Sequence, residues 1–128
     1  MLPILRNNKA RNSLSKKQLN MYEIYILTET LSFEIAANDL PEMTWDDARQ
    51  YTLEVGERWR LPTVEELNEM YRLHLKAVGK FQFKAYWSSK GFNNLHATAK
   101  SFSSGSFYEG VSKAAPAPKY LVRLVRNF

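Results

Sequence analysis

Tyr22, Ile24 and Ile26 alternate with Glu23 and Tyr25, and Phe33 and Ile35 flank Glu34. A period of two belongs to a strand with one buried face, so both runs predict strands, joined through the polar Thr28, Glu29 and Thr30. Asn38, Asp39, Leu40 and Pro41 then read as a break. From Trp45 the period lengthens. Trp45, Ala48, Thr52 and Val55 recur at three and four, as do Leu67, Tyr71, His74 and Val78, and each set predicts a helix with one inward stripe. Gly56 and Gly79 follow the two stripes, where glycine supplies the left-handed residue that ends a helix.

The starts of these helices are marked as clearly. Thr44 stands three residues before Asp47 and can cap the first turn, and Asp46 and Asp47 sit at the positive end of the dipole. Thr63 with Glu66 makes a T-x-x-E capping box, in which the hydroxyl accepts a backbone N–H and the carboxylate reaches back. Pro62 cannot donate and fits the extended approach to that cap. In Trp59, Arg60, Leu61, Pro62 and Thr63 an extended chain sends Trp59 and Leu61 to one side and Arg60 to the other. The stretch is expected to be a hinge: Trp59 and Leu61 anchor it in the core, and Thr63 launches the second helix. Arg60 with Glu65 or Glu66 resembles an acid–base set, but capping and the helix dipole already account for both acids.

After Gly79 the chain turns rich in Ser, Gly, Asn and aromatics, which predicts short strands joined by long loops. Lys113 to Lys119 holds two prolines and is expected to be an extended, semi-rigid connection. The last run, Tyr120 to Phe128, alternates Leu121, Arg123 and Val125 against Val122, Leu124 and Arg126, and reads as one central strand. Strands, two helices, then strands make an α+β domain.

The 128 residues suit one domain, and seven Tyr, seven Phe and three Trp supply core bulk. Without cysteine there is no disulfide, thiolate metal site or cysteine nucleophile. No apolar run approaches the roughly 20 residues that span a bilayer, so no membrane insertion is expected. The first residues lack the charge-then-apolar order of a secretory signal, which gives the expectation of cytoplasmic synthesis. The net charge of +5 lies wholly in residues 1–20, where Arg6, Lys9, Arg11, Lys16 and Lys17 meet no acid; residues 21–128 are neutral, with 13 bases and 13 acids. A basic N-terminal arm on a neutral body is expected to lie against that body or a neighbouring subunit, with Leu2, Ile4 and Leu5 as apolar anchors. The arm has no aromatic to stack on bases, so nucleic acid is not favoured, although phosphate contact needs only charges.

Several stretches, taken in order, resemble a known family: "FEIAANDLPEMTWDDA", "WRLPTVEEL", "YWSS", the spacing from Ala97 to Gly105 in "ATAKSFSSG", and "YLVRLVR". They are similar to the bacterial and phage family typified by the C-terminal domain of Legionella collagen-like proteins, over residues 33–128. The resemblance implies a C-type-lectin-like fold related to the formylglycine-generating-enzyme group. First and last strands of the body then lie side by side, Phe33–Ala36 beside Tyr120–Arg126, with two helices flanking the sheet and loops on one side. It implies adhesive functions: binding of polysaccharide or a host surface, or display of binding loops on phage. It attaches no catalytic residue to these motifs.

The residues themselves disfavour chemistry. His74 lies on an apolar stripe, where a histidine is expected to be a hydrogen-bonded core residue, and with His96 far off and no H-x-x-x-H or similar spacing, zinc is disfavoured. No calcium loop, phosphate loop or nucleophile elbow is present, and cysteine-based formylglycine chemistry is excluded. No cofactor or metal is expected. Two regions remain as candidate ligand-binding loops: Lys90, Phe92, Asn93, Asn94 and His96, and the stretch from Ser103 ending at Phe107 and Tyr108. Their aromatic, Asn and Ser content suits recognition, although Phe92 and Phe107 equally suit plugging the core. Trp87, with Thr44, Trp45, Trp59, Arg60, Leu61, Pro62, Thr63 and Glu66, is assigned to the framework. The expectation is a non-catalytic assembly module of a phage particle or other multi-subunit bacterial structure, bound to its protein subunits, or alternatively an adhesin for a surface glycan or protein.

Overall fold

The structure, a computed structural model, describes residues 4–7 and 22–128. Its elements run β1 (Ile4–Asn7), β2 (Tyr22–Leu27), β3 (Ser32–Ile35), β4 (Leu40–Met43), α1 (Trp45–Val55), α2 (Val64–Leu75), β5 (Ala85–Asn93), β6 (His96–Ser101), β7 (Phe107–Ser112), β8 (Tyr120–Val122) and β9 (Val125–Arg126). Two sheets form, β1-β2-β3-β9 and β4-β8-β5-β6-β7. The fold is α+β, with one parallel contact, Tyr86 beside Leu121, among otherwise antiparallel pairs.

Each face of the five-stranded sheet carries its own core. Tyr86 and Leu121 join α2 through Leu67, Met70 and Leu73, and reach Ile24, Ile26, Phe33 and Ile35 of the other sheet. Their strand neighbours Trp87 and Val122 point the opposite way, to Trp45 and Ala48 of α1 and to Leu61. Ala97 and Ala99 are fully buried on that second face, and their small size leaves room for the indoles of Trp45 and Trp87. Both indole N–H groups are satisfied, Trp45 by the Ser88 carbonyl at 2.9 Å and Trp87 by that of Met43 at 2.7 Å.

The first and last strands of the body are neighbours, with Glu34 opposite Arg126 and Ile35 opposite Val125. The closing run, however, is two short strands in different sheets rather than one central strand. One strand in a two-faced sheet sends alternate residues to opposite faces. Here Leu121 to Val125 are all buried, because the chain crosses from one sheet to the other. Arg123 sits at the crossing, 2% exposed. Its Nε donates to Asp39 Oδ1 at 2.7 Å, and its remaining nitrogens donate to the carbonyls of Ala36, Gly79 and Lys80. Asp39 also accepts from Tyr86 Oη at 2.8 Å and from the Gln82 side chain. Burial pushes the Tyr86 phenol well above its usual range; the Gln82 amide opposes that shift and the Asp39 charge adds to it.

Three other expectations are corrected. Leu40 and Pro41 do not break the chain but form β4, an edge strand, where a residue without an N–H loses no ladder bond. The second helix ends at Leu75, ahead of Gly79. Ala77 takes the left-handed conformation, with φ of 58°. Val78 N–H then bonds the Leu73 carbonyl and Ala77 N–H that of His74, the double closure of a Schellman turn. Finally, short strands and a long connection are found only at the end, in β8, β9 and residues 113–119, whereas β5, β6 and β7 are longer strands because Ser88, Thr98 and Ser101 are buried strand residues rather than loop formers.

β1 pairs antiparallel with β2, Leu5 opposite Ile24 and Arg6 opposite Glu23. Ile4, Leu5 and Arg6 of the expected arm are therefore an outer strand of the body's own sheet. Leu2, Lys9, Arg11, Lys16 and Lys17 lie outside the described residues. No helix among the described residues is long and apolar enough to cross a membrane.

Two substitutions test this framework. Ala77→Gly relieves a left-handed alanine and is expected to raise stability by about 0.5–1 kcal/mol in urea unfolding. Asp39→Ala strands the Arg123 charge in the core and is expected to cost roughly 3–5 kcal/mol. A loss below about 1 kcal/mol would show that the crossing does not depend on the pair.

Candidate functional site

The hinge from Trp59 to Thr63 is built as a strand extension followed by a cap. Arg60 exchanges both backbone hydrogen bonds with Val125, at 2.8 and 2.9 Å, and so continues the first sheet beyond β9. Leu61 is buried, while Trp59 is only half-buried against the same core. The capping box is complete: Glu66 N–H reaches Thr63 Oγ1 at 3.1 Å, and Thr63 N–H reaches Glu66 Oε1 at 2.8 Å. Arg60 adds a two-pronged bond to the same carboxylate, at 2.7 and 2.8 Å, and donates to Asn127 Oδ1 at 2.7 Å. Burial alone pushes the Glu66 carboxyl up, but Arg60 and Thr63 outweigh it and hold it below the ordinary carboxylate range. The same bond raises the Arg60 guanidinium. Arg60 and Glu66 are thus committed to each other as a structural pair.

Strand β5 meets the hinge through an irregularity. Between Trp87 and Gly91 it advances four residues while β6 moves back from Ala99 to Ala97. Such a bulge re-aims the backbone. Ser88 Oγ accepts from Lys90 N–H and donates to the Thr98 carbonyl, and Ser89 N–H, turned outward, donates to the Pro62 carbonyl at 2.7 Å. This junction makes the floor of two adjoining clefts. The larger, of about 550 Å³, lies between α1 and the hinge, with Arg49, Leu53, Trp59, Thr63, Ser89 and Asn127 among its walls. The smaller, of about 350 Å³, shares Thr63 and Ser89 and adds Val64, Glu65 and Lys90. Neither Arg49 nor Lys90 makes an ion pair among the described residues. Leu53 is 73% exposed on the rim.

The expected binding loops are strands and turns, and the structure separates them into two sites. Lys90 and Asn93 are exposed in β5, Asn94 lies in the turn, and His96 opens β6. Phe92 belongs to β5 by its backbone, its side chain lying outside the described residues. Asn93 Oδ1 accepts from Leu95 N–H at 2.8 Å and meets His96 Nδ1 at 2.9 Å, while its carbonyl accepts from Lys113 Nζ. Lys113 Nζ also lies 4.1 Å from the Trp45 ring, with Arg49 at 5.1 Å. Lys90 and this cationic corner border the clefts.

Phe107 and Tyr108 pair with Lys100 and Ala99, at the opposite end of β6 from His96. Phe107 is half-buried with Lys100 Nζ 4.1 Å above its ring. Burial lowers the Lys100 amine below its usual range, and its Nζ donates to the Gly105 carbonyl at 2.6 Å. Phe107 therefore belongs to a turn lock rather than a loop tip. Gly105 is required there: it has φ of +83°, and an added Cβ would meet the Tyr71 hydroxyl at 2.9 Å. Tyr108 is exposed and its ring stands 6.3 Å from that of Tyr120. Burial, and secondarily the nearness of Tyr108, raise the Tyr120 phenol.

His74 is buried as expected but not hydrogen-bonded as expected. Its Nε2 has no partner among the described residues, and the ring packs against two aromatics, edge-on with Phe83 at 4.5 Å and tilted on Phe102 at 5.4 Å. Sequence reasoning missed Arg49, Leu53, Ser89 and Asn127. The one available signal was the Ser-Ser-Lys-Gly run inside a strand pattern, which is where a bulge is expected. Among the described residues no three of His, Asp and Glu gather as a metal site. Neither protein-family models nor curated proteins give any match to the chain.

The Glu66 network sets an acid-sensitivity. Its folded value lies below the unfolded one of about 4.3, so its contribution is complete above that pH and is lost as the pH falls through the folded value. Glu66→Gln is expected to cost roughly 1–3 kcal/mol at pH 7 by urea unfolding, trimmed because Arg60 is partly exposed. The gap to the wild type should close towards pH 3. A gap that stays constant would show that the carboxylate charge contributes nothing.

Proposed function

We propose that this chain is a non-catalytic binding and assembly module with a C-type-lectin-like fold, serving in a phage particle or another multi-subunit bacterial structure. The fold reading is supported by β3 lying beside β9 and by the two helices on opposite sides of the five-stranded sheet. The functional reading is carried by one contrast. The charged side chains that are buried are tied into the framework, as in Arg60–Glu66, Arg123–Asp39 and Arg126–Glu34. The cations without an ion pair among the described residues, Arg49 and Lys90 foremost, stand instead on open clefts at the hinge. That distribution suits recognition by a rigid surface and offers no nucleophile held by an oriented base.

The bases Lys9, Arg11, Lys16 and Lys17 serve as the anchor to an acidic neighbouring subunit. Ile4–Asn7 pairs with β2 by its backbone, which ties the arm to the sheet, and these charges make the assembly contact together with Leu2, Ile4 and Leu5 as apolar anchors. In the alternative reading the chain is an adhesin for a surface glycan or protein, favoured by the exposed Asn93, Asn94 and Lys90 at one end of the sheet.

Replacing Lys9, Arg11, Lys16 and Lys17 together by Gln is expected to abolish co-purification with the parent assembly, while the melting temperature stays within about 2 °C, as for surface substitutions generally. An assembly yield equal to the wild type would remove the anchoring role.

A further inference from the structure

We propose that the cleft between α1 and the hinge seats an acidic peptide segment of a partner protein, one that places an apolar side chain among carboxylates. This rests on the binding-module reading and narrows it to one site and one ligand chemistry. The cleft, at about 550 Å³, falls within the size range of small-ligand and peptide-residue pockets.

Its polar walls are donors left over from the framework. Thr63 Oγ1 accepts from Glu66 N–H, which leaves its own O–H to donate. Asn127 Oδ1 accepts from Arg60, which leaves the amide N–H groups. Ser89 spends its backbone N–H on Pro62, and its hydroxyl remains to donate. Arg49 brings a full charge without an ionic partner, and Lys90 brings another from the adjoining cleft. A convergence of donors and cations is complementary to carboxylates and peptide carbonyls.

The apolar walls decide between ligand classes. Leu53 is 73% exposed on the rim, and Leu61 forms part of the floor. Branched aliphatic surface suits an apolar side chain. A sugar ring calls instead for an open aromatic face, and each tryptophan is either buried or has a cation over its ring. Trp59 carries the Arg126 guanidinium at 4.1 Å, Trp45 carries Lys113 at 4.1 Å, and Trp87 is fully buried. The one acid on the adjoining cleft is Glu65, exposed at the first turn of α2, and it opposes an acidic ligand.

A displayed library of random dodecapeptides, selected on the immobilised full chain, tests this. Enriched sequences are expected to set Leu, Ile, Val or Phe between Asp and Glu. A synthetic peptide of the enriched sequence should lose at least tenfold in affinity against Arg49→Glu and against Leu53→Asp. It should bind Lys119→Glu as it binds the wild type, and Glu65→Gln more tightly. Circular dichroism and melting confirm that each variant is folded. Enrichment without acids, or affinity that survives both cleft variants, overturns the proposal. If heparin binds and no peptide is enriched, the ligand is an anionic polysaccharide; the peptide site falls while the binding-module reading stands. The assembly measurement on the N-terminal charges does not involve this cleft, so failure there is distinguishable from failure here.

Discussion

A guanidinium removed from water must have its N–H groups bonded, and the position of Arg123 makes that demand the organising constraint of the fold. Its partners come from two separate segments, Ala36 and Asp39 after β3 and Gly79 and Lys80 after α2, and they meet on the closing run between β8 and β9. The Phe81 ring lies against the guanidinium at 4.4 Å and closes the remaining side. The path that satisfies these bonds here is the one in which residues 123 and 124 step from one sheet to the other. Hydrophobic burial alone would accept several registers of so apolar a run. The buried charge selects among them.

Arg126 repeats the device at the outer face of the same step. It bonds Glu34 at 2.6 Å and stacks on Trp59 at 4.1 Å, so β9 is fixed to β3 on one side and to the hinge on the other. Arg60 then joins the hinge to α2 through Glu66. Three arginines, each held by acids and by carbonyls or a ring, link sheet, hinge and helix in sequence. The clefts owe their shape to this chain of ties, because both open against the hinge that the arginines immobilise.

Much of this was legible residue by residue. The caps at Thr44 and Thr63 were readable because a capping box is local: its partners lie three residues apart, so spacing alone determines it. The strands at Ile24 and Ile35 were readable from a period of two. Tertiary partners were not. Arg123 looked like the polar member of an alternating strand, since nothing local reveals that Asp39, 84 residues away, would meet it. The end of α2 lies elsewhere because glycine is the usual left-handed residue, while here Ala77 takes that conformation, closed by the bonds of Ala77 and Val78 N–H to the His74 and Leu73 carbonyls. The region after Gly79 reads as loops because Ser and Asn favour turns, whereas contacts with Trp45 and Thr98 make Ser88 a buried strand residue. The cleft was invisible for a plainer reason: its walls come from α1, the hinge, β5 and the last residues, which are adjacent only in space.

The edges of the larger sheet bear on how such a domain meets a partner. An exposed strand edge invites pairing with another chain, and natural edges are guarded by proline, charge or bulges. The outer strand β4 carries Pro41 and Glu42. The other outer strand, β7, advances three residues from Tyr108 to Val111 while β6 advances two, which leaves a bulge at the exposed Glu109 and Gly110. Both edges are thereby poor templates for strand addition. Recognition through main-chain pairing on this sheet is disfavoured at each end, and contact is left to side chains on its ends and faces. Arg49, Leu53 and Lys90 are side chains of that kind, carried on a helix and a strand whose backbones are fixed by the hinge, so a partner would meet them with little left to order on binding.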